Sequence, residues 1–275
     1  MAVSPLRPAR DEEVARVWPL VRSARLVTTA AELEQLRRAA PWRLQVGERG
    51  EVTLLERWRE HLEICAIQGL WVARHEVSAY VADVGSIARA QGFGEVLSPL
   101  LGEAALAPYL EAGMTVREPI VALQAPAGLV ARPEARLGIS VRAAGMGDLG
   151  ELERIDAECF DEFWRYGEPE LIRVLGDERV SVATGPWGEL LGYSTCVVRS
   201  GSATLGRLAV RVSARGRGVG ALLLGEAAEW AEGVGAHTFT LCTQESNETA
   251  RRLYTAAGMA EVPERYALAS MQVNG

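Results

Sequence analysis

The sequence predicts a mixed α/β protein built from two similar domains in tandem. Its 275 residues are enough for two domains of ordinary size. In the second half, short runs rich in Val, Leu and Thr alternate with longer segments of helical periodicity, which favours a mixed sheet covered by helices. Two segments 145 positions apart also resemble each other, and such a repeat indicates a duplicated structural unit.

The elements of the second half follow one another in a regular order. Glycines and polar turn residues separate the apolar runs, and Gly258 is placed to end the last helix. Strands are predicted at residues 139–143, 180–184, 189–198, 203–210, 238–243 and 266–273, and helices at 146–158, 169–175, 218–233 and 247–257.

The repeat sets the predicted domain boundaries. The sequence from Tyr109 to Met114 resembles that from Tyr254 to Met259, and the same offset pairs Glu103 with Glu248. It also lays residues 93–101 over residues 238–246. We therefore expect a first domain at 1–125, a proline- and glycine-containing linker at 126–137, and a second domain at 138–275.

Composition excludes several classes of partner. The formal net charge is −7, so no general attraction to nucleic acid or to an anionic membrane is expected. The four cysteines are widely spaced and the three histidines are scattered, so no metal site is expected. Acidic residues near the N-terminus interrupt any signal peptide, and no apolar run approaches 18 residues. These features predict a cytoplasmic protein with reduced thiols.

A glycine-rich loop between a strand and a helix is the central feature. Gly216, Gly218 and Gly220 allow a tight turn and close approach of a ligand to the backbone. The free amides at the start of the helix attract an anion such as a pyrophosphate, and Arg215 and Arg217 add positive charge. Taken alone, the loop could equally make a tight turn. It matches neither the Rossmann nor the Walker pattern.

A second motif begins at Asn247. On a helix, Asn247, Ala250 and Tyr254 share one face. Considered singly, Asn247 could be a helix cap and Tyr254 a core residue.

Together the two motifs resemble those of the GNAT acetyltransferases. Arg215-x-x-Gly218-x-Gly220 is similar to the family's acetyl-CoA pyrophosphate loop, and the segment from Asn247 to Met259 is similar to its NxxAxxLYxxxGF helix. The resemblance covers about half of the chain and implies transfer of an acetyl group from acetyl-CoA to an amine, without a metal. It implies that the residues binding the acyl donor are Leu208, Ala209, Val210, Arg215, Gly216, Arg217, Gly218, Val219, Gly220, Ala221 and Asn247.

The resemblance also implies catalytic roles. Tyr254 would protonate the departing thiolate as a general acid. Many members carry a basic glutamate where this sequence has Thr204 or Cys242, so the pattern departs from theirs. Glu245 is the nearest acidic candidate for the general base, although it could be a solvated loop residue or be replaced by a water chain. Cys242 is expected to be a buried strand residue that contributes only packing.

The resemblance implies that the connection between the first two helices of the second half forms one wall of the acceptor site. It carries Asp161 and Glu162, which could attract an ammonium group or simply form an exposed acidic loop. We expect a small-molecule or peptide amine as the acceptor. The alternatives are a ribosomal-protein or protein N-terminal acetyltransferase and, from another class, a non-catalytic module that binds acyl-CoA.

The first half is expected to be a degenerate copy. By the 145-residue offset, the loop corresponds to residues 70–75, which contain no glycine and place Trp71 where close approach is needed. Tyr109 is retained, but Gly102 stands opposite Asn247. A tandem arrangement with one active half resembles that of the mycothiol synthase family. The expected role of the first half is structural.

Overall fold

The computed structural model describes residues 4–24, 27, 29–59, 61–133 and 138–273. Contacts divide the chain into two compact units. Unit 1 comprises Met1–Pro119 with Tyr266–Gly275, and unit 2 comprises Ile120–Arg265. Strands and helices are mixed in both, so the predicted α/β class is confirmed.

Unit 1 contains a mixed sheet. Its strands are β1 (Arg7–Pro8), β2 (Leu44–Val46), β3 (Val52–Arg57), β4 (Ile64–Trp71), β5 (Glu95–Leu97), β6 (Leu101–Gly102) and the end of β13 (Ala260–Gln272). The order is β1-β2-β3-β4-β5-β13, and β6 also pairs with β13. Among the described strands of unit 1, only β4 and β5 run parallel to each other, because the connection between them crosses over through a helix.

Two hydrophobic clusters hold helices against the strands of unit 1. The helices are α1 (Asp11–Val21), α2 (Ala30–Ala39), α3 (Val77–Ala90) and α4 (Glu103–Glu111). Leu33 of α2 packs with Leu54 in one cluster, and Val81 of α3 packs with Leu55 in the other. Leu54 and Leu55 are adjacent on β3, so their side chains point to opposite faces. Each such buried side chain contributes roughly 1.5–3 kcal/mol of hydrophobic stabilisation.

Unit 2 has a similar sheet. Its strands are the end of β7 (Thr115–Pro126), β8 (Ser140–Ala143), β9 (Arg179–Thr184), β10 (Leu190–Arg199), β11 (Ser202–Val210) and β12 (Thr238–Gln244). Its helices are α5 (Leu149–Cys159), α6 (Glu168–Asp177), α7 (Val219–Gly233) and α8 (Glu248–Ala256). The strand order is β8-β9-β10-β11-β12-β7, and β11 and β12 are parallel.

Helices cover both faces of the sheet in unit 2. Leu152 and Ile155 of α5 and Leu171 of α6 pack with Tyr193 on one face. Leu224 of α7 and Tyr254 of α8 belong to a cluster on the other face. We refer to these as the α5 face and the α7 face.

The two units repeat one succession of elements. A strand, two helices, three strands, a helix, a parallel strand and a further helix follow one another in each. Helices α4 and α8 coincide at both ends when shifted by 145 positions, from Glu103 to Glu248 and from Glu111 to Ala256. The ten elements predicted for the second half are present, although the last strand begins earlier, at Ala260.

The strand that closes each sheet comes from the other half of the sequence. After α4 the chain enters β7, whose residues 120–126 pair with β12 in unit 2. After α8 it enters β13, whose residues 270–272 pair with β5 in unit 1. The division thus differs from the predicted contiguous domains 1–125 and 138–275. In the predicted linker, Ala127–Leu129 forms a 3-10 turn, whereas residues 134–137 lie outside the described residues.

Residues 70–75 of unit 1 are not the counterpart of the glycine loop, contrary to the sequence prediction. Leu70 and Trp71 lie in β4 and not in a loop, so the 145-residue offset does not extend back to residues 70–75. A 3-10 turn follows the strand in both units, at Arg74–Glu76 and at Val212–Ala214. In unit 1, α3 then begins at once, whereas in unit 2 four residues, 215–218, come before α7. Unit 1 therefore lacks the glycine loop altogether.

None of the helices in the described residues is both long enough and apolar enough to span a membrane.

Candidate functional site

A gap opens between two parallel strands in unit 2. Strands β11 and β12 pair from Ser202 and Thr238 up to Leu205 and Leu241, and no pairing between them continues beyond that point in the described chain. Strand β11 still pairs with β10 as far as Val210, and β12 pairs with β7 along its whole length. The facing edges beyond Leu205 and Leu241 are thus unpaired with each other, and their backbone groups are open to a ligand.

A β-bulge marks the start of the gap. On β10, Thr195 pairs with Arg207 and Cys196 with Leu205, so Gly206 is the extra residue on β11. Bulges of this kind bend a strand and increase its twist. The bend of β11 away from β12 follows from it.

The glycine loop lies where β11 leads into α7. Gly216 and Gly218 have φ angles of +74° and +81°, which a residue with a side chain adopts only at a cost. Among the described residues, none accepts a hydrogen bond from the amides of Gly216 to Ala221. The first intrahelical bond runs from the amide of Leu222 to the carbonyl of Gly218. A run of free amides at a helix N-terminus is suited to a phosphate group.

The loop has space on its outer side and close packing on its inner side. A Cβ on Gly216 would meet no atom within 4 Å. One on Gly220 would lie 3.2 Å from Leu253 Cδ2, so Gly220 allows α7 to approach α8 closely. Arg215 and Arg217 are exposed, and Arg215 Nε donates to the carbonyl of Val210 at 3.3 Å. The predicted donor-binding residues other than Asn247 therefore adjoin one another along the end of β11 and the start of α7.

Asn247 and Tyr254 occupy the predicted face of α8. The Asn247 side chain caps the helix, accepting from the amide of Ala250 at 3.1 Å through Oδ1. Tyr254 is 7% exposed and packs in the cluster that contains Leu205 and Leu241. Burial raises the pKa of Tyr254 to about 12, so the hydroxyl stays protonated at neutral pH. It has no hydrogen-bond partner among the described residues.

The positions considered for the general base are exposed residues of β11 and β12 and of the segment after β12. Glu245 is exposed, and no described residue bonds to its carboxylate; its carbonyl accepts from Arg251. Cys242 is exposed, so the expectation of buried packing is wrong. It lies beyond the last residue of β12 that pairs with β11. Thr204 Oγ1 lies 3.3 Å from Thr240 Oγ1, which places both hydroxyls on one face.

A buried ion pair on the α5 face was not anticipated from the sequence. Asp156 is fully buried and Arg207 is 6% exposed. Arg207 Nε donates to Asp156 Oδ2 at 2.8 Å, and its Nη2 donates to Oδ1 at 2.7 Å. Asp156 also accepts from the Tyr193 hydroxyl and from the amide of Tyr166. Burial beside Asp156 raises the pKa of Tyr193 well above its ordinary value, so its hydroxyl remains a donor.

Arg207 also contacts the connection between α5 and α6 and stabilises its position. Its guanidinium lies 3.5 Å from the ring centroid of Phe160 and 3.9 Å from that of Tyr166, and it donates to the carbonyl of Trp164 at 2.7 Å. Cation–π contacts and a bidentate carboxylate pair together fix its position. The available sequence signal was an aspartate beside the apolar stripe of α5 and an arginine within an apolar strand, because buried charges are normally paired.

No group of His, Cys, Asp or Glu that could hold a metal ion occurs in the described part of the chain.

Comparison with known proteins agrees with this geometry. Residues 149–259 match the sequence model described as the Acetyltransferase (GNAT) family. A comparison with curated proteins found no significant match in sequence.

Solved structures share the fold over most of the chain. A GCN5-related N-acetyltransferase from Sphaerobacter thermophilus is 18% identical, with a TM-score of 0.69 over 98% of this chain and 96% of that one. A tandem GNAT protein from the clavulanic acid biosynthesis pathway is 14% identical, with a TM-score of 0.66 over 84% and 82% of the two chains. A GCN5-related N-acetyltransferase from Kribbella flavida is 17% identical, with a TM-score of 0.60 over 82% and 87%. At these identities the likeness shows the fold.

Proposed function

We propose, from the premise that residues 149–259 form an acyltransferase domain of the GNAT family, that this protein is an acetyl-CoA-dependent N-acetyltransferase. Its acceptor is the primary amine of a small molecule or peptide, and the amine attacks the thioester directly. The observation that carries the proposal is the strand gap that leads into a loop of free amides.

The residues present suit such a donor. The amides of Gly216 to Ala221 face no competing acceptor among the described residues, so a pyrophosphate can take them, and Arg215 and Arg217 add charge. From Gly206 to Val210 the open edge of β11 spans about 13 Å at roughly 3.3 Å per residue. That length accommodates an extended arm between the loop and the bulge. The Oδ1 atom of Asn247 is used as a cap, so its amide nitrogen is left for the arm.

Tyr254 has the properties of the proton donor to the departing thiolate. Its raised pKa keeps the hydroxyl protonated, and no described partner competes for it. Glu245 stays a candidate base on sequence grounds, although its exposed carboxylate has no described hydrogen-bond partner to orient it.

Unit 1 is proposed to be a degenerate copy with a structural role. It keeps the order of elements and Tyr109, but α3 follows its 3-10 turn without the four loop residues. Without those residues no cradle of free amides is formed.

The test is a screen of primary amines, both metabolites and peptides, with acetyl-CoA as the donor. Release of free CoA thiol is followed with a thiol reagent, and the acetylated amine is identified by mass spectrometry. We expect amine-dependent thiol release with at least one acceptor class. Tight binding of acetyl-CoA in calorimetry without release for any amine would refute transfer and identify the chain as a binding module.

A further inference from the structure

Two oxygen atoms converge on the bulge residue Gly206. A Cβ built on Gly206 would lie 2.8 Å from Thr195 Oγ1 and 3.5 Å from Glu178 Oε2. Neither oxygen belongs to a residue that the sequence motifs single out. Because position 206 has no side chain, no Cβ stands beside these two oxygens.

Thr195 is buried without a partner. It is 1% exposed, and its Oγ1 has no hydrogen-bond partner among the residues that the structure describes. An unsatisfied buried hydroxyl costs roughly 1–3 kcal/mol, so such a group in a folded protein needs an explanation. One such explanation is a bound polar ligand that supplies the missing hydrogen bond.

Glu178 is placed to reach the same point from the next strand. It directly precedes β9, and its carboxylate forms no hydrogen bond with any described residue. Glu178 is half-buried, so part of the residue is open to solvent. Val180, two residues further on, packs with α5, and alternation along the strand puts Glu178 on the α5 face as well.

These groups and Tyr254 lie on opposite faces of the gap. Gly206 is the first residue of β11 beyond the last pair with β12, so the two oxygens stand at the closed end of the gap. Tyr254 packs with Leu205 on the α7 face. An amine arriving from the α5 face and a thiolate protonated from the α7 face would each have its own proton-transferring group.

We propose that Glu178 and Thr195 form the subsite that binds the acceptor's primary amino group, and that Glu178 is the general base. The proposal rests on the proposed function. The amine nitrogen forms a bond to the acetyl carbon as the carbon–sulfur bond breaks. The proton lost by nitrogen passes to the Glu178 carboxylate, and the Tyr254 hydroxyl supplies a proton to the sulfur. Both groups then re-equilibrate with water.

The other candidates are less suited to this role. Thr204 carries a hydroxyl, which is no base at neutral pH. Desolvation raises the pKa of the Cys242 thiol, which keeps it protonated. Glu245 is exposed after the end of β12, whereas Glu178 is half-buried and its carboxylate lies beside Gly206.

The kinetic test compares Glu178→Gln with the matched Glu245→Gln. For an amine accepted by the wild type, Glu178→Gln should lower kcat by roughly 10²–10⁴-fold, the range for a lost general base. The rate should recover as pH rises and the free amine deprotonates in solution. Affinity for acetyl-CoA in calorimetry should not change. A loss in Glu245→Gln and not in Glu178→Gln would overturn the assignment.

A second test needs no turnover. In protein labelled with ¹³C at the glutamate carboxylates, the signal missing from Glu178→Gln identifies Glu178. Titration with n-butylammonium should shift that signal saturably, n-butanol should not, and Thr195→Val and Gly206→Ala should weaken the shift. No saturable shift would overturn the subsite. If the wild type acetylates no amine while the shift is present, the proposed function fails and the amine subsite stands.

Discussion

Replacing Asp156 with asparagine tests whether the buried ion pair organises unit 2. The change keeps the side-chain shape but leaves the Arg207 guanidinium charged in a site where its side chain is 5% exposed. Removing one partner of a buried pair costs about 3–5 kcal/mol, because the remaining charge loses its compensation. Asparagine keeps part of the hydrogen bonding, so we expect the lower end, about 3 kcal/mol.

The chain offers a matched control at Asp148. Arg142 donates to both of its carboxylate oxygens at 2.8 and 2.7 Å, and Asp148 also accepts from a backbone amide, that of Gly145. The Arg142 side chain is 48% exposed, however, and exposed pairs contribute about 0–1 kcal/mol. Asp148→Asn should therefore cost at most about 1 kcal/mol.

Urea unfolding followed by tryptophan fluorescence and circular dichroism measures both losses. The double variant Asp156→Leu with Arg207→Met should recover most of the lost stability, because no buried charge is left unpaired. If Asp156→Asn and Asp148→Asn lowered the free energy of unfolding by equal, small amounts, burial would not make the Asp156–Arg207 pair more important for stability than the exposed pair.

Three further predictions concern the donor site. Gly218→Glu should abolish binding of acetyl-CoA in calorimetry, because it puts a side chain at a φ of +81° and a negative charge among the free amides. The control is Gly150→Glu, because Gly150 is exposed and a Cβ there would meet no atom within 4 Å. Near-normal affinity for acetyl-CoA in a folded Gly218→Glu variant would contradict the loop assignment. Tyr254→Phe should leave that binding almost intact but slow turnover by roughly 10²–10⁴-fold; unchanged turnover with the preferred amine would make Tyr254 a packing residue. Finally, one acetyl-CoA should bind per chain, since unit 1 lacks the loop. Two comparable sites in calorimetry would show that unit 1 is not degenerate, and so would a crystal structure in which acetyl-CoA contacts Trp71 and Arg74.

Local sequence was sufficient for the elements of the second half and for the glycine loop. The strand before the loop, the positive φ angles of Gly216 and Gly218, and the cap at Asn247 depend on a few consecutive residues. Glycine and asparagine have conformational preferences strong enough to be recognised in one sequence. The helix face that carries Tyr254 follows in the same way from the period of 3.6 residues.

The tertiary structure decided which strands meet. The apolar alternation of β7 and β13 predicts strands but does not specify a partner edge, so the exchange of closing strands could not be read from the sequence. The absence of the loop from unit 1 could not be read from the sequence either. A comparison at one fixed offset allows no gap, so it cannot show where four residues are absent.

The groups proposed to bind the amine show this limit most clearly. Thr195 and Gly206 lie on neighbouring strands, Glu178 directly precedes a third, and nothing in their local sequence links them. The side-chain oxygens of Glu178 and Thr195 converge on Gly206 only because of the register of β9, β10 and β11 and the bulge at Gly206. The sequence by itself determined the glycine loop and the helix that follows it, because these depend on neighbouring residues. The proposed amine subsite depends on contacts between distant residues, and only packing of the sheet brings those together.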